Sequence, residues 1–272
     1  MPEAATERGD TPDRAQRLQA LLDILAARGR LSVSEAANAL KVSEATVRRD
    51  FTALAEQQLV TRTHGGVVAS PVAYDLPVRY RERTDNSAQE RIAAAASRLI
   101  EAGEVVAFNG GTTTSATARR LAARTDLAQA VRRPTLTVVT NALNIATEMV
   151  LRPHIRTVIL GGVALPQSYE LTGPLTMLVL QEMWLDVLIL GVDGFSAEGG
   201  TSCHDEGEAG VDALMVRRAR RVIVVAGAEK LGRRSFARIS DVSAVDTLVT
   251  DAAADEKIVA DLRAAGVEVI LT

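Results

Sequence analysis

The sequence predicts an α/β protein in two parts: a small, mostly helical module, then a larger domain built on a mainly parallel sheet. Three observations carry this. A chain of 272 residues is too long for one small domain and long enough for two. Hydrophobic residues make up 47% of it and aromatics only 3%, so the core is aliphatic, as in strands covered on both faces. Near residue 87 the pattern changes from short amphipathic helices to short continuous apolar runs that alternate with helical stretches.

Residues 1–14 are small and polar, with two prolines and no periodicity, and are expected to form a disordered tail. From Arg17 a helical stripe begins, with Leu18, Leu21, Leu22 and Leu25 on one face, and Gly29 stops it. Ser32 followed by Glu35 fits a capping box, and Ala36, Ala37 and Leu40 continue a second helix. Ser43 can cap a third, whose buried stripe is Val47, Phe51 and Leu54. LVTRTHGGVV then reads as two strands around a turn supplied by Gly65 and Gly66. Helix, helix, turn, helix and hairpin make residues 15–70 a winged helix-turn-helix. Residues 71–86, with two prolines and mixed charge, read as a linker.

Residues 87–272 contain the runs VVAF, LTVVT, RTVIL, DVLILG, RVIVVAG, DTLVT and VEVILT, each expected as a strand. Helical stretches such as TSATARRLAAR and GEAGVDALMVRRAR separate them. The alternation predicts helices on both faces of a mainly parallel sheet. Trp184 is expected to pack on an apolar helix face. No apolar run reaches the roughly 18 residues needed to span a bilayer, and the N-terminus is not signal-like, so a soluble, cytoplasmic protein without membrane partners is expected. A single cysteine, Cys203, excludes an intramolecular disulfide.

Net charge is −3, yet Arg14 to Gly66 carries a local charge of +3, leaving −6 for the rest. A separate basic module fits that asymmetry. With Val47, Phe51 and Leu54 facing inward, Glu44, Ala45, Arg48, Arg49 and Thr52 face outward at the start of the third helix. That is where a recognition helix meets base edges. Arginine can grip guanine or phosphate through two hydrogen bonds. The capped helix starts at Ser32, Ser43 and Thr46, and Arg62, Thr63, His64 and Gly65 of the wing, are candidate DNA contacts. The competing reading is a solvated face with Glu44 and Asp50 as ion partners.

SVSEAANALKVSEATVRRDFTALAEQQLVTRTHGG resembles the N-terminal domain of the DeoR family of bacterial repressors. The family pattern is Val-Ser-x-x-Thr-[Val/Ile]-Arg-Arg-Asp, then Leu, with a wing ending in His-Gly-Gly. It is met by Val42, Ser43, Thr46, Val47, Arg48, Arg49, Asp50, Leu54, Arg62, His64, Gly65 and Gly66. The resemblance implies that Asp50 orients one of the two arginines.

VVAFNGGTTTSATARRL raises a second site. A strand runs into a loop of glycines and hydroxyls, Asn109, Gly110, Gly111, Thr112, Thr113, Thr114 and Ser115, and a helix follows. Such a helix start can cradle a phosphate. It is neither a P-loop nor a dinucleotide fingerprint. An ordinary strand-to-helix turn is the alternative. Other loops follow strands in the same style, which nominates Thr140, Asn141, Gly161, Gly162, Asp193, Gly194 and Lys230 by position. The run GGTSCHDEGEAG holds possible metal ligands, but one short run cannot enclose an ion, so no metal and no cofactor are expected. Glu206 and Glu208 are candidates to reach the pocket from a helix start.

Residues 75–272 resemble the family's sensor domain, which is similar in fold to ribose-5-phosphate isomerase. The resemblance implies a phosphorylated sugar as effector, and release of operator DNA when it binds. Asn109 stands where the family often has Asp, and Glu229-Lys230-Leu231 replaces Ser-Lys-Phe. Two other classes compete with this reading. An isomerase on this fold would need a carboxylate base, which Asp193, Glu206 or Glu208 could supply, but has no use for a DNA module. A redox sensor would need a dinucleotide fingerprint. One small module grips DNA weakly, so a homodimer or homotetramer is expected.

Overall fold

A computed structural model describes residues 14–28, 30–56, 60–63, 65–69, 87–128 and 134–272, in two compact units, Met1–Tyr80 and Arg81–Thr272. The expected tail up to residue 13, the helix stop at Gly29 and the linker at 71–86 lie outside the described residues.

The first unit runs α1 (Arg14–Arg28), β1 (Arg30–Ser32), α2 (Val33–Leu40), α3 (Glu44–Glu56), β2 (Val60–Thr63) and β3 (Gly66–Ala69). The leucine stripe of α1 closes on Leu31, Ala36, Val47, Phe51, Leu54, Val60 and Val67. The wing has three antiparallel strands, in the order β1-β3-β2, rather than the expected two. The three residues of β1 are too short to show a period, and only pairing with β3 makes them a strand. That pairing also explains Gly66. A Cβ there would lie 2.2 Å from the Leu31 carbonyl oxygen, whereas at Gly65 it would meet open space. Gly66 serves the approach of two strands, not the turn assigned to it from sequence.

Asp50 corrects another expectation. Its carboxylate is buried and accepts a hydrogen bond from Arg17 Nε of α1 at 3.0 Å, so it orients neither Arg48 nor Arg49. The pair fixes the back of α3 to α1.

The second unit begins with α4 (Ser87–Arg98), β4 (Val105–Phe108), α5 (Thr112–Ala122), α6 (Thr125–Ala128), β5 (Leu136–Thr140), α7 (Leu143–Met149) and β6 (Ile155–Ile159). It continues with β7 (Val163–Ala164), β8 (Leu171–Thr172), α8 (Pro174–Gln181), β9 (Leu185–Gly191), β10 (Gly194–Ser196), β11 (Gly200–Cys203) and α9 (Glu206–Arg218). It ends with β12 (Ala219–Val225), β13 (Ala237–Ser240), β14 (Thr247–Thr250), α10 (Glu256–Ala264) and β15 (Glu268–Leu271).

All seven apolar runs named from sequence enter one parallel sheet, ordered β15-β14-β12-β9-β4-β5-β6. Strand β9 shows why they are continuous: Val187 and Ile189 face one helical layer, Leu188 and Leu190 the other. The first layer holds Ile92 of α4, Leu121 of α5 and Ile145 of α7. The second holds Leu180 of α8, Met215 of α9 and Leu262 of α10. From β4 the chain winds outward through β5 to β6, then returns to β9 on the other side of β4. The strand order therefore reverses between β4 and β9, which opens a crevice at their carboxyl ends. A three-stranded antiparallel sheet, β10-β11-β13, and the hairpin β7–β8 are additions that the sequence reading lacked. Trp184 is 76% exposed, with the Arg218 guanidinium 3.9 Å from its ring centre, so it is not the packing residue expected.

Replacing Arg17 by Met should leave the Asp50 carboxylate buried without its cation. A loss of roughly 3 kcal/mol is expected from the smaller unit, read by denaturant unfolding of the whole chain. A loss below about 1 kcal/mol would show that the pair does not hold α3.

Candidate functional site

The first candidate site is the outer face of α3. Val47, Phe51 and Leu54 are buried beneath it, while Glu44, Ala45, Arg48 and Arg49 are exposed and Thr52 is half-buried. Arg48 Nη2 donates to Glu44 at 2.9 Å across one helical turn, with the two side chains 60% and 51% exposed. Such a pair contributes only about 0.3–0.5 kcal/mol, so Arg48 can leave it cheaply. Arg49 Nε donates to the Ala45 carbonyl.

The two serines cap helices. Ser32 accepts from the Glu35 backbone N–H and donates to its carboxylate, and Glu35 accepts from the Ser32 N–H in return. Ser43 accepts from the Thr46 N–H. Arg62 Nη1 donates to the Thr52 hydroxyl at 3.1 Å, and that hydroxyl donates to the Arg48 carbonyl, which ties β2 to α3. Thr63 and Gly65 are exposed, and His64 lies outside the described residues.

The second candidate site is the β4/β9 crevice. Asn109, the residue after β4, is buried, and its amide is fully used. Nδ2 donates to the Gly191 carbonyl at 3.0 Å and to Asp212 Oδ2 at 2.9 Å, and Oδ1 accepts from the Gly191 N–H at 2.8 Å. The next residue must be glycine, because a Cβ on Gly110 would lie 2.2 Å from Glu170 Oε1. Gly111 takes φ +114° and starts α5 without a side-chain cap, so the first-turn N–H groups have no capping acceptor. The hydroxyls of Thr114 and Ser115 turn back onto the carbonyls of Gly110 and Gly111, while Thr112 and Thr113 are half-buried. Thr140 closes the end of β5 by donating to the Phe108 carbonyl.

Asn141 Nδ2 donates to Glu170 Oε2 at 2.8 Å. Glu170 and Asp212 are both buried, on the β7–β8 hairpin and on α9. Sequence reasoning missed both. Glu170 sits in no motif, but a carboxylate among Val211, Leu214 and Met215 on the buried face of α9 was a usable signal for Asp212. Burial, with Asp212 and Glu208 nearby, pushes the Glu170 carboxyl well up. Burial does the same to Asp212, against the hydrogen bond from Asn109. Asp193 differs. Burial opposes its charge, but Lys230 Nζ at 3.0 Å and His204 Nδ1 at 2.7 Å outweigh it and hold its carboxyl below the usual range. Burial and Asp212 push the Cys203 thiol up, which suits an inert thiol.

Of the remaining candidates, Glu208 stands close enough to act on Glu170 and Asp212, while Glu206 is exposed. Beyond the edge strand β6, Gly162 packs on Thr172 and Thr176, while Gly161 faces open space and accepts a hydrogen bond from the Thr176 hydroxyl through its carbonyl. Gly194 packs against Arg233 and Ser202. The crevice thus offers a helix start at one side and buried acceptors at the other, an arrangement suited to a small anionic ligand with a polar body.

Residues 84–252 match the model of the DeoR C terminal sensor domain, and residues 17–71 that of the DeoR-like helix-turn-helix domain. The chain is 28% identical over 239 residues to the glycerol-3-phosphate regulon repressor of Escherichia coli (strain K12), covering 88% of this chain and 91% of that protein. It is 30% identical over 259 residues to the HTH-type transcriptional repressor GlcR of Bacillus subtilis (strain 168), covering 94% and 96%. Among solved structures it is similar to ribose 5-phosphate isomerase A from Methanocaldococcus jannaschii, at 15% identity and a TM-score of 0.40 over 54% of this chain and 55% of that one.

The raised carboxyls of Glu170 and Asp212 bind protons more tightly folded than unfolded. Their contribution to stability is complete below the ordinary carboxylate range, near pH 4, and is lost as pH rises through their folded values. Asp193 acts oppositely and contributes above that range. Asp126 is also lowered, by Arg124, but it is exposed and its pair is screened by solvent. The two buried raised groups therefore dominate. The melting transition of the Arg81–Thr272 unit should fall between about pH 5 and about pH 8, and Glu170→Gln should flatten the fall. A transition that rises over this range in the unmodified chain would contradict the assignment.

Proposed function

The chain belongs to the DeoR family of transcriptional regulators, and we propose that it represses a carbohydrate-catabolism operon until a phosphorylated sugar in the crevice releases it from operator DNA. One observation carries the reading: a single chain joins an exposed Arg48–Arg49 helix face to a strand-end crevice with an uncapped helix start. The family is one of regulators, and the two relatives described above are repressors rather than enzymes.

In this reading residues 15–70 form the DNA-binding module, 71–86 the linker and 87–272 the sensor. Helix α3 enters the major groove of double-stranded DNA, with Arg48 and Arg49 on bases or phosphates and Arg62 and Thr63 on the flanking backbone. The start of α5 takes the phosphate, with Lys230 on the same rim, while Asn141 and the buried acids take the sugar. Among the described residues no helix is long and apolar enough to cross a membrane, and a regulator that reads DNA acts in the cytoplasm.

A second copy completes the reading. Leu175, Leu178 and Val179 leave an apolar stripe exposed along α8, and Trp184, three residues after it, is exposed too. One small module needs a partner module to hold an operator firmly, and this stripe is a surface on which two chains could meet as a dimer or as half of a tetramer.

Three substitutions separate the parts. Arg48→Ala should weaken specific DNA binding by roughly 1–3 kcal/mol in an anisotropy titration; unchanged binding with the fold intact would remove Arg48 from the interface. Thr113→Val should leave DNA binding in place and abolish release by the sugar phosphate. A normal response would move the phosphate elsewhere. Leu178→Glu should lower the oligomeric state in sedimentation, and an unchanged mass would clear α8 of that role.

A further inference from the structure

The turn between α2 and α3 holds a residue that the fold alone does not account for. Lys41 closes α2 in the left-handed region, at φ +53° and ψ +42°. The backbone needs that conformation. Through it the N–H groups of Lys41 and Val42 both donate to the Ala37 carbonyl, and the chain swings from α2 into the Ser43 cap of α3. Glycine enters this region freely and asparagine readily, whereas a lysine Cβ crowds the following carbonyl oxygen. Among the described residues other than glycine, only Tyr169 shares a positive φ.

The side chain returns nothing to the fold that offsets this strain. Lys41 is exposed, and its ammonium makes no hydrogen bond or ion pair with any described residue. The cations around α3 differ: Arg17 is held by Asp50, Arg48 by Glu44 and Arg62 by the Thr52 hydroxyl. Lys41 is also the only lysine before Lys230, in a chain whose other cations over that span are mostly arginines. An arginine fork suits base edges and bidentate pairs. A lysine carries a compact charge on a flexible stem, which suits a single point contact with a phosphate.

Position names the partner. Lys41 stands three residues before Glu44, the first residue of α3, so its Cα lies at most about 11 Å from the helix start. The major groove of B-form DNA is about 12 Å wide and is walled by phosphates. A helix start set among base edges therefore brings the Lys41 stem to the wall of the groove.

We propose that Lys41 is a phosphate contact of the DNA-binding module, kept in a backbone conformation that favours glycine because its ammonium pairs with the duplex backbone. This rests on the DNA-binding reading above and adds a contact outside the residues assigned there. A point contact with a phosphate carries no sequence information, so Lys41 adds affinity rather than selectivity.

The test is an anisotropy titration of the full-length chain against two duplexes over a range of salt concentrations. One duplex comes from its own upstream region, and the other has an unrelated sequence of equal length. Lys41→Gln and Lys41→Gly should each weaken binding to both duplexes by the same factor, about threefold or more at low salt, and lower the slope of log affinity against log salt by about one for each module bound. Lys41→Arg, which keeps the charge, should keep the slope. Lys41→Gly should melt no lower than the unmodified chain, since glycine meets this backbone freely. An unchanged slope in both charge-removing variants overturns the proposal. So does a loss confined to one duplex, which marks a base contact, or a drop of several degrees in the melting temperature of Lys41→Gln, which gives the lysine a role in the fold. Each of these results leaves the DNA-binding reading standing. If the unmodified chain binds neither duplex at low salt, that reading and this contact fall together.

Discussion

One amide organises the sensor unit. Asn109 spends both donors and its acceptor on Gly191 and Asp212, clasping the ends of β4 and β9 where the strand order reverses. The clasp fixes the loop that starts α5 and turns Asp212 toward the crevice. It also gives a physical reason for asparagine where the family often has aspartate. A carboxylate could not donate to the Gly191 carbonyl, and it would face Asp212 as a like charge in a buried site. The change of residue exchanges one buried acid for an amide that holds another.

The DNA unit rests on a smaller version of the same device. Asp50 binds Arg17 on the inner side of α3, so the side chains on the outer face can stay loosely paired. Arg48 holds Glu44 weakly in solvent. The same helix therefore combines a firmly anchored back with a front whose contacts are cheap to exchange. Arg62 and Thr52 link the wing to that front, so the two elements form one surface.

Most of the scaffold was legible in the sequence. The leucine stripe, the Ser32–Glu35 box and seven continuous apolar runs each carry a local period, and each became the element expected. What escaped depends on pairing across long stretches. Strand β1 exists through β3, and Gly66 is explained by Leu31 rather than by its own turn. The partner of Asp50 lies 33 residues away, so neighbouring arginines were a misleading guide. In the crevice the loop from Asn109 to Ser115 was readable because a strand, glycines and hydroxyls precede a helix. Glu170 and Asp212 were not, since their proximity is created only when the hairpin and α9 fold onto that loop. Trp184 shows the limit of residue type as a guide to burial: the ring lies on the surface under a guanidinium.

The most direct measurement is release of the full-length chain from a duplex of its own upstream region by phosphorylated sugars, each tested beside its unphosphorylated form. The account predicts specific, salt-dependent binding, with release by at least one phosphorylated sugar and not by its unphosphorylated form. Absence of binding to any such duplex at low salt, or release that does not depend on the phosphate, would contradict it.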